Sequence, residues 1–247
     1  MAGRARDDGH SAERNTCGKL GGGAPGTGAK PKTRKHREAF FFMKLYQSLG
    51  PNPHVVRMFI AEKGIDVPME TIDVRGGENR QADYLAINPR GQSPALVTDS
   101  GTLISEITAI CEYLEELHPT PALIGSTPEE RGVTRMWIRR IDLGILEPMA
   151  NGFRYSNGIE MFRPRMRVLP EAADGLKACA QDILGWLDGE MGDNTWVCGD
   201  RFTLADILLF CFLDFAQSER VQQPINPDHK WVQGFYERAK GRASASA

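Results

Sequence analysis

The apolar pattern changes character once along the chain, and that change limits the folds open to it. Up to Pro119-Thr-Pro121, short strand-like and helix-like stretches alternate; beyond Ser126-Thr-Pro128 the periodicity is helical only. In the first part, Lys44–Ser48 reads as a strand, followed by the turn Gly50-Pro51-Asn52-Pro53. A helix is expected over 54–63, with Val55 and Phe59, and Val56 and Ile60, at i,i+4 spacing and Gly64 as its stop. Val67–Val74 reads as a second strand and Glu78–Ala86 as a short helix. Pro94–Val97 and Thr102–Ile104 read as a hairpin around Asp99-Ser-Gly101. The last helix before the prolines runs from Ser105 to about His118. Its apolar stripe is Ile107, Ile110, Cys111, Leu114 and Leu117, and Glu112, Glu115 and Glu116 are expected to face water. Beyond the prolines, helices are expected at about 128–155, 165–190, 203–217 and 228–241. Thr203-Leu-Ala-Asp206 has the spacing of a capping box, with Phe202 and Ile207 at the hydrophobic-staple positions.

The first 42 residues belong to neither pattern. Residues 1–39 sum to +5 in Lys, Arg, Asp and Glu, leave −7 for the remainder, and contain only Met1 and Leu20 as large apolar residues. Such a segment buries too little surface to offset its ordering entropy, so a disordered basic tail is expected over 1–42. Gly23-Ala-Pro-Gly-Thr-Gly-Ala-Lys30 imitates a phosphate-binding loop. However, Ala29 separates Gly28 from Lys30, and Pro31 follows where a helix must start. The organisation expected is therefore tail 1–42, an α/β domain over 43–120, a linker over 121–128 and an all-helical domain over 129–245. The longest apolar run, Ile207–Leu213, lies between two aspartates and is far short of a membrane span. Cysteines 17, 111, 179, 198 and 211 form no C-x-x-C and no zinc-ligand spacing with histidine, so neither a disulfide framework nor a metal site is expected. His54, His118 and His229 are scattered and are read as surface or capping residues. An acidic core gives no electrostatic reason for nucleic-acid binding.

Four segments, in order, resemble the glutathione transferase superfamily: Leu45-Tyr-Gln-Ser-Leu-Gly-Pro-Asn52, Asn88-Pro-Arg-Gly-Gln-Ser-Pro-Ala-Leu96, Ser105-Glu-Ile-Thr-Ala-Ile-Cys-Glu-Tyr-Leu114 and Gly199-Asp-Arg-Phe-Thr-Leu-Ala-Asp206. The closing Trp231…Tyr236-Glu-Arg-Ala is similar to the family's last helix, so the resemblance covers about 43–245. It implies a thioredoxin-like βαβαββα domain followed by a helical bundle, a homodimer, a cytoplasmic location and a role in detoxification. It also implies glutathione as co-substrate, with no metal, no nucleic acid and no membrane as partners.

Glutathione carries two carboxylates, an ammonium and a thiol whose ordinary pKa of about 8.5 leaves little thiolate at neutral pH. A site must therefore offer hydrogen bonds or positive potential near sulfur. Asn52 lies at a helix start, where unpaired amides and the helix dipole favour an anion. Pro51-Asn52 resembles the Pro-Asn pair of nu-type and bacterial members, which implies that Asn52 contacts the sulfur and acts as the catalytic residue. Gly50 stands where many members carry a hydroxyl, with Tyr46 and Ser48 as nearby alternatives. Ser93-Pro94 resembles the family's cis-proline step, whose backbone pairs with the cysteinyl unit, and Gln92 can reach the glycyl end. Glu106 matches the acid that meets the γ-glutamyl ammonium. Ile107 replaces the usual Ser and keeps only its amide for the γ-glutamyl carboxylate. Met149, Phe153 and Tyr155, with Arg154, are candidates for lining the electrophile pocket. The reading is a transferase whose glutathione thiolate attacks an electrophilic small molecule. Glutathione-dependent disulfide reduction or peroxide chemistry on the same fold is the alternative, and a non-catalytic binding or regulatory protein is a third reading.

Overall fold

The computed structural model describes residues 42–247. The rest of the expected tail, its Gly23–Lys30 loop included, lies outside the described residues. Strands β1 (Lys44–Gln47), β2 (Met69–Thr71), β3 (Ala95–Val97) and β4 (Leu103–Ser105) form a mixed sheet in the order β2-β1-β3-β4. β1 and β2 are parallel, with Gln47 opposite Thr71; β1 and β3 are antiparallel, with Tyr46 opposite Ala95; β3 and β4 are antiparallel, with Ala95 opposite Ser105. A parallel pair needs a crossover, and α1 (Pro51–Lys63) supplies it, opened by Pro51 and closed by Gly64 at φ 62°. α2 (Ala82–Ile87) and α3 (Ile107–Leu117) complete the βαβαββα order.

Two expected elements are shorter than their apolar pattern. β2 ends at Thr71, because the Val74 amide turns back to the Ile72 carbonyl and the Asp73 carbonyl accepts from Gly77 and Glu78. The helix expected over 78–86 is a 3-10 turn, Glu78–Arg80, and then α2, separated by extended Gln81.

α3 carries a sharper correction. Glu115 does not face water: its carboxylate is buried against the Lys63 ammonium from the end of α1. It also accepts from the amides of Leu123 (3.3 Å) and Ile124 (3.0 Å), while Lys63 donates to the carbonyls of His118 and Pro121. The buried pair thus satisfies the backbone of the proline-rich connection. Leu117, expected on the apolar stripe, is exposed instead.

Beyond that connection come α4 (Pro128–Ile141), α5 (Glu147–Arg154), α6 (Ile159–Phe162), α7 (Ala173–Met191), α8 (Leu204–Gln217) and α9 (Lys230–Lys240). A π turn, Asp142–Leu146, joins α4 to α5 within one run. The helix expected from 165 begins only at Ala173, after a turn between Pro164 and Pro170. α8 is buried from Leu204 to Leu213, so both halves share one continuous core, from Leu45 of β1 to Ala239 of α9. The capping box forms as the sequence predicts. Asp206 Oδ2 accepts from the Thr203 amide (2.8 Å) and hydroxyl (2.9 Å), and Oδ1 accepts from the Val197 amide (2.8 Å). Burial pushes this carboxyl up to about 6 against those hydrogen bonds.

Candidate functional site

The strand register decides which residues meet. β1 and β2 run parallel and end at Gln47 and Thr71, so the segments 48–52 and 72–80 leave the sheet at the same edge. β3 begins at that edge, where Ala95 faces Tyr46, and β4 ends there, where Ser105 faces Ala95. Asn52, Gln92, Ser93, Pro94, Glu106 and Ile107 therefore gather at the carboxyl edge of the parallel strands, the place where open α/β sheets bind ligands.

Asn52 is the second residue of α1 and half-buried, at a position whose amide has no partner within the helix. Gly50 precedes the helix at φ 120°, a conformation a side-chain-bearing residue rarely adopts. A hydroxyl-bearing residue at Gly50 would be strained, and Ser48, one of the two alternatives, is buried with its hydroxyl turned to the Leu49 carbonyl (3.4 Å). Tyr46, the other, packs its ring edge-on to Tyr84.

The loop carrying Ser93-Pro94 is fixed from beneath. Tyr84 Oη (2.7 Å) and Asn88 Nδ2 (2.8 Å) both donate to the Gln92 carbonyl, and Asn79 Nδ2 donates to the Gly91 carbonyl. Gly91 sits at φ 61°, where a Cβ would come within 2.8 Å of the Asn79 carbonyl oxygen, so only glycine fits. Gln92 leaves its side chain exposed. The Ser93–Pro94 bond is cis, and the Ser93 hydroxyl oxygen is buried without a partner among the described residues.

Glu106 immediately precedes α3 and has φ 72°, ψ 125°, one of two non-glycine positive-φ residues among the described ones. Backbone strain of this kind is of order 1–3 kcal/mol and persists where the surroundings impose it, commonly at binding sites. The side chain is exposed, and Ile107 behind it is partly buried as the first residue of α3. Asp142, in the π turn, is near enough to feel the Glu106 charge. Burial first, then Glu147 and Glu106, raise its carboxyl pKa, with Arg139 opposing.

The expected lining residues divide. Met149 and Phe153 are core residues, not pocket walls: Met149 has no exposed surface, and Phe153 is enclosed edge-on by Phe162 and Phe215. Both lie on the face of α5 that packs on the rest of the bundle, which an apolar stripe by itself cannot distinguish from a pocket wall. Tyr155, just past α5, and Arg154 are partly exposed.

His54 differs from its surface reading as well. It is half-buried, with Nε2 2.9 Å from the Ala245 carbonyl and its ring edge-on to Phe210. Burial lowers its pKa, partly offset by that carbonyl. Arg57, one turn further along α1, donates to Gln47 Oε1 (2.8 Å), the Ser48 carbonyl (3.2 Å) and the Ala247 carbonyl (3.1 Å). It links the segment leading to Asn52 with the C-terminal residues. Two concavities are lined by none of the predicted site residues. One of about 570 Å³ is lined by Glu62, Arg238, Arg242 and Ser244, and one of about 480 Å³ by Thr108, Glu112, Tyr113 and Glu116. The chemistry argued from register and backbone does not coincide with either hollow.

Residues 49–117 match the glutathione S-transferase N-terminal domain family model, and residues 170–238 match the glutathione S-transferase C-terminal domain model. Glutathione S-transferase 2 of Saccharomyces cerevisiae is 33% identical over 199 residues, covering 79% of this chain and 84% of the yeast protein. The chain belongs to the glutathione S-transferase family. A second relative, a maleylacetoacetate isomerase of Pseudomonas aeruginosa, is 36% identical over 174 residues, covering 68% and 78% of the two chains. Among solved structures, a glutathione S-transferase domain-containing protein of Marinobacter aquaeolei superposes with a TM-score of 0.76 at 33% identity. That match covers 82% of this chain and 99% of the other. Function of the glutathione-transferase type therefore holds at family level, a level that includes an isomerase among its relatives. Among the described residues no helix is long and apolar enough to cross a membrane, and no three His, Cys, Asp or Glu side chains group as metal ligands.

Proposed function

We propose that the protein joins glutathione to an electrophilic small molecule. Glutathione lies along the carboxyl edge of the sheet. The Ser93 backbone pairs with its cysteinyl unit, Glu106 meets the γ-glutamyl ammonium, the Ile107 amide meets the adjacent carboxylate, and Gln92 reaches the glycyl end. The thiol gives its proton to solvent water, and the start of α1 with Asn52 favours the thiolate left behind. The thiolate attacks the electrophilic carbon, a C–S bond forms, and the leaving group departs with its electron pair. Proximity and thiolate population supply the rate gain.

The observation that carries this reading is Glu106. It is an exposed carboxylate held in a strained backbone conformation at a helix start, at the edge where three other segments converge. Calorimetric titration with glutathione, repeated on Glu106→Ala, tests it: saturable binding is expected and is weakened roughly 10–100-fold in the variant. Absence of binding at millimolar glutathione refutes it. Turnover of a chlorodinitrobenzene tests the conjugation step.

Gly50 favours a second reading, because it leaves the thiolate without a hydroxyl donor at that position. That reading is reduction of small disulfides by glutathione. Turnover of hydroxyethyl disulfide without aromatic substitution selects it. The proposal further includes a cytoplasmic homodimer acting in detoxification, with sedimentation of the purified chain as the check on the dimer.

A further inference from the structure

The geometry points to an anion-binding subsite formed by Arg154 and Arg165 around Phe162, on a turn docked at the sheet edge that carries the proposed thiolate site. The co-substrate it fits is an aromatic electrophile bearing a carboxylate or sulfonate. This rests on the conjugation reading above.

Arg154 and Arg165 each hold their guanidinium 5.7 Å from the centre of the Phe162 ring. Phe162 packs edge-on against Phe153, and Arg220 lies 5.8 Å from the centre of the Phe153 ring. The cations are therefore gathered on one aromatic group rather than spread over a surface. Arg165 Nη2 donates to the Val74 carbonyl at 2.9 Å, which docks this turn of the helical half on segment 72–80. That segment leaves the sheet at the same edge as Asn52.

The cluster is poorly neutralised. Among the described residues no carboxylate lies within 4 Å of Arg80, Arg165 or Arg220, and Arg154 has only the exposed Glu147 at 3.8 Å. Burial, and then the like charge of Arg80, pull the pKa of Arg165 down. Like charges held together against an aromatic surface leave a place for a planar anion, which a guanidinium fork binds bidentately.

The test uses the full chain and an unreactive probe pair, dinitrobenzoate and its methyl ester, titrated calorimetrically beside a separate glutathione titration. The wild type is expected to bind the acid about tenfold more tightly than the ester, and rising salt is expected to weaken the acid alone. Arg165→Gln and Arg154→Gln each reduce that preference several-fold, and Arg165→Lys, which keeps the charge, restores part of it. Melting curves matching the wild type establish that the variants are folded. Equal binding of acid and ester by the wild type overturns the subsite. So does a preference that survives in the Arg154→Gln/Arg165→Gln double variant. A loss of glutathione affinity in the single variants also overturns it, by assigning the arginines to the peptide's own carboxylate. An intact acid preference without glutathione binding instead removes the conjugation reading and leaves the anion subsite standing.

Discussion

Glu115→Gln keeps the side chain's volume and removes its charge. The Lys63 ammonium is then buried without a counter-charge, with only neutral oxygens, among them the carbonyls of His118 and Pro121, as partners. Breaking a buried pair from one side costs about 3–5 kcal/mol. In a chain of this size a kcal/mol moves the melting temperature by about 2–4 °C, so the midpoint should fall by roughly 10 °C. Replacing both partners makes the sharper test. For an isolated buried pair, Lys63→Met with Glu115→Leu should be neutral or stabilising. Here the carboxylate also holds the amides of Leu123 and Ile124, both buried residues, and each orphaned donor costs about 1–3 kcal/mol. The double variant should therefore melt below the wild type, as followed by thermal and urea unfolding. A double variant as stable as the wild type refutes the reasoning, because it means the pair does nothing for the backbone of the connection.

Glu106→Ala should weaken glutathione binding by roughly 10–100-fold, the worth of a charge-assisted hydrogen bond, read by calorimetry. Asn52→Ala should lower turnover more than glutathione affinity in steady-state kinetics; unchanged turnover removes Asn52 from the mechanism. Asp206 has a folded pKa raised to about 6 by burial, so the native state holds its proton more firmly than the unfolded chain. Its contribution to stability is greatest below the unfolded pKa and falls as pH rises through the folded one. Relative to Asp206→Asn, the wild type should lose about 2 kcal/mol between pH 4 and pH 7 in unfolding experiments, and a constant difference refutes the shift.

How much of this was legible in the sequence follows from the range of each interaction. The Thr203–Asp206 cap spans three residues, and both of its partners are written side by side. The strand–helix order shows for the same reason, through periodicities of a few residues. Glu115 reads as a solvent-facing position because its partners, Lys63 and the 123–124 amides, lie in other segments. On α5 the stripe Met149–Phe153 is equally suited to a core or a pocket, and only the packing of Phe162 and Phe215 decides for the core.

The candidate site mixes the two cases. Asn52, Ser93-Pro94 and Glu106 stand out locally, as helix starts and a proline step, but what joins them is the register of β1, β3 and β4. Arg165 lies at the other extreme. In the sequence it is one of two arginines between Pro164 and Pro170, with nothing to separate it from a solvated charge. Its hydrogen bond to Val74, ninety-one positions away, places it against the sheet edge that carries the proposed chemistry. Residues proposed to bind the peptide can thus be read from local backbone requirements, because a helix start or an added strand is a backbone device. Residues proposed to select the second substrate come from the turn of the helical half that docks on that edge, so on this reading substrate choice can change there without altering any of the four segments that mark the family.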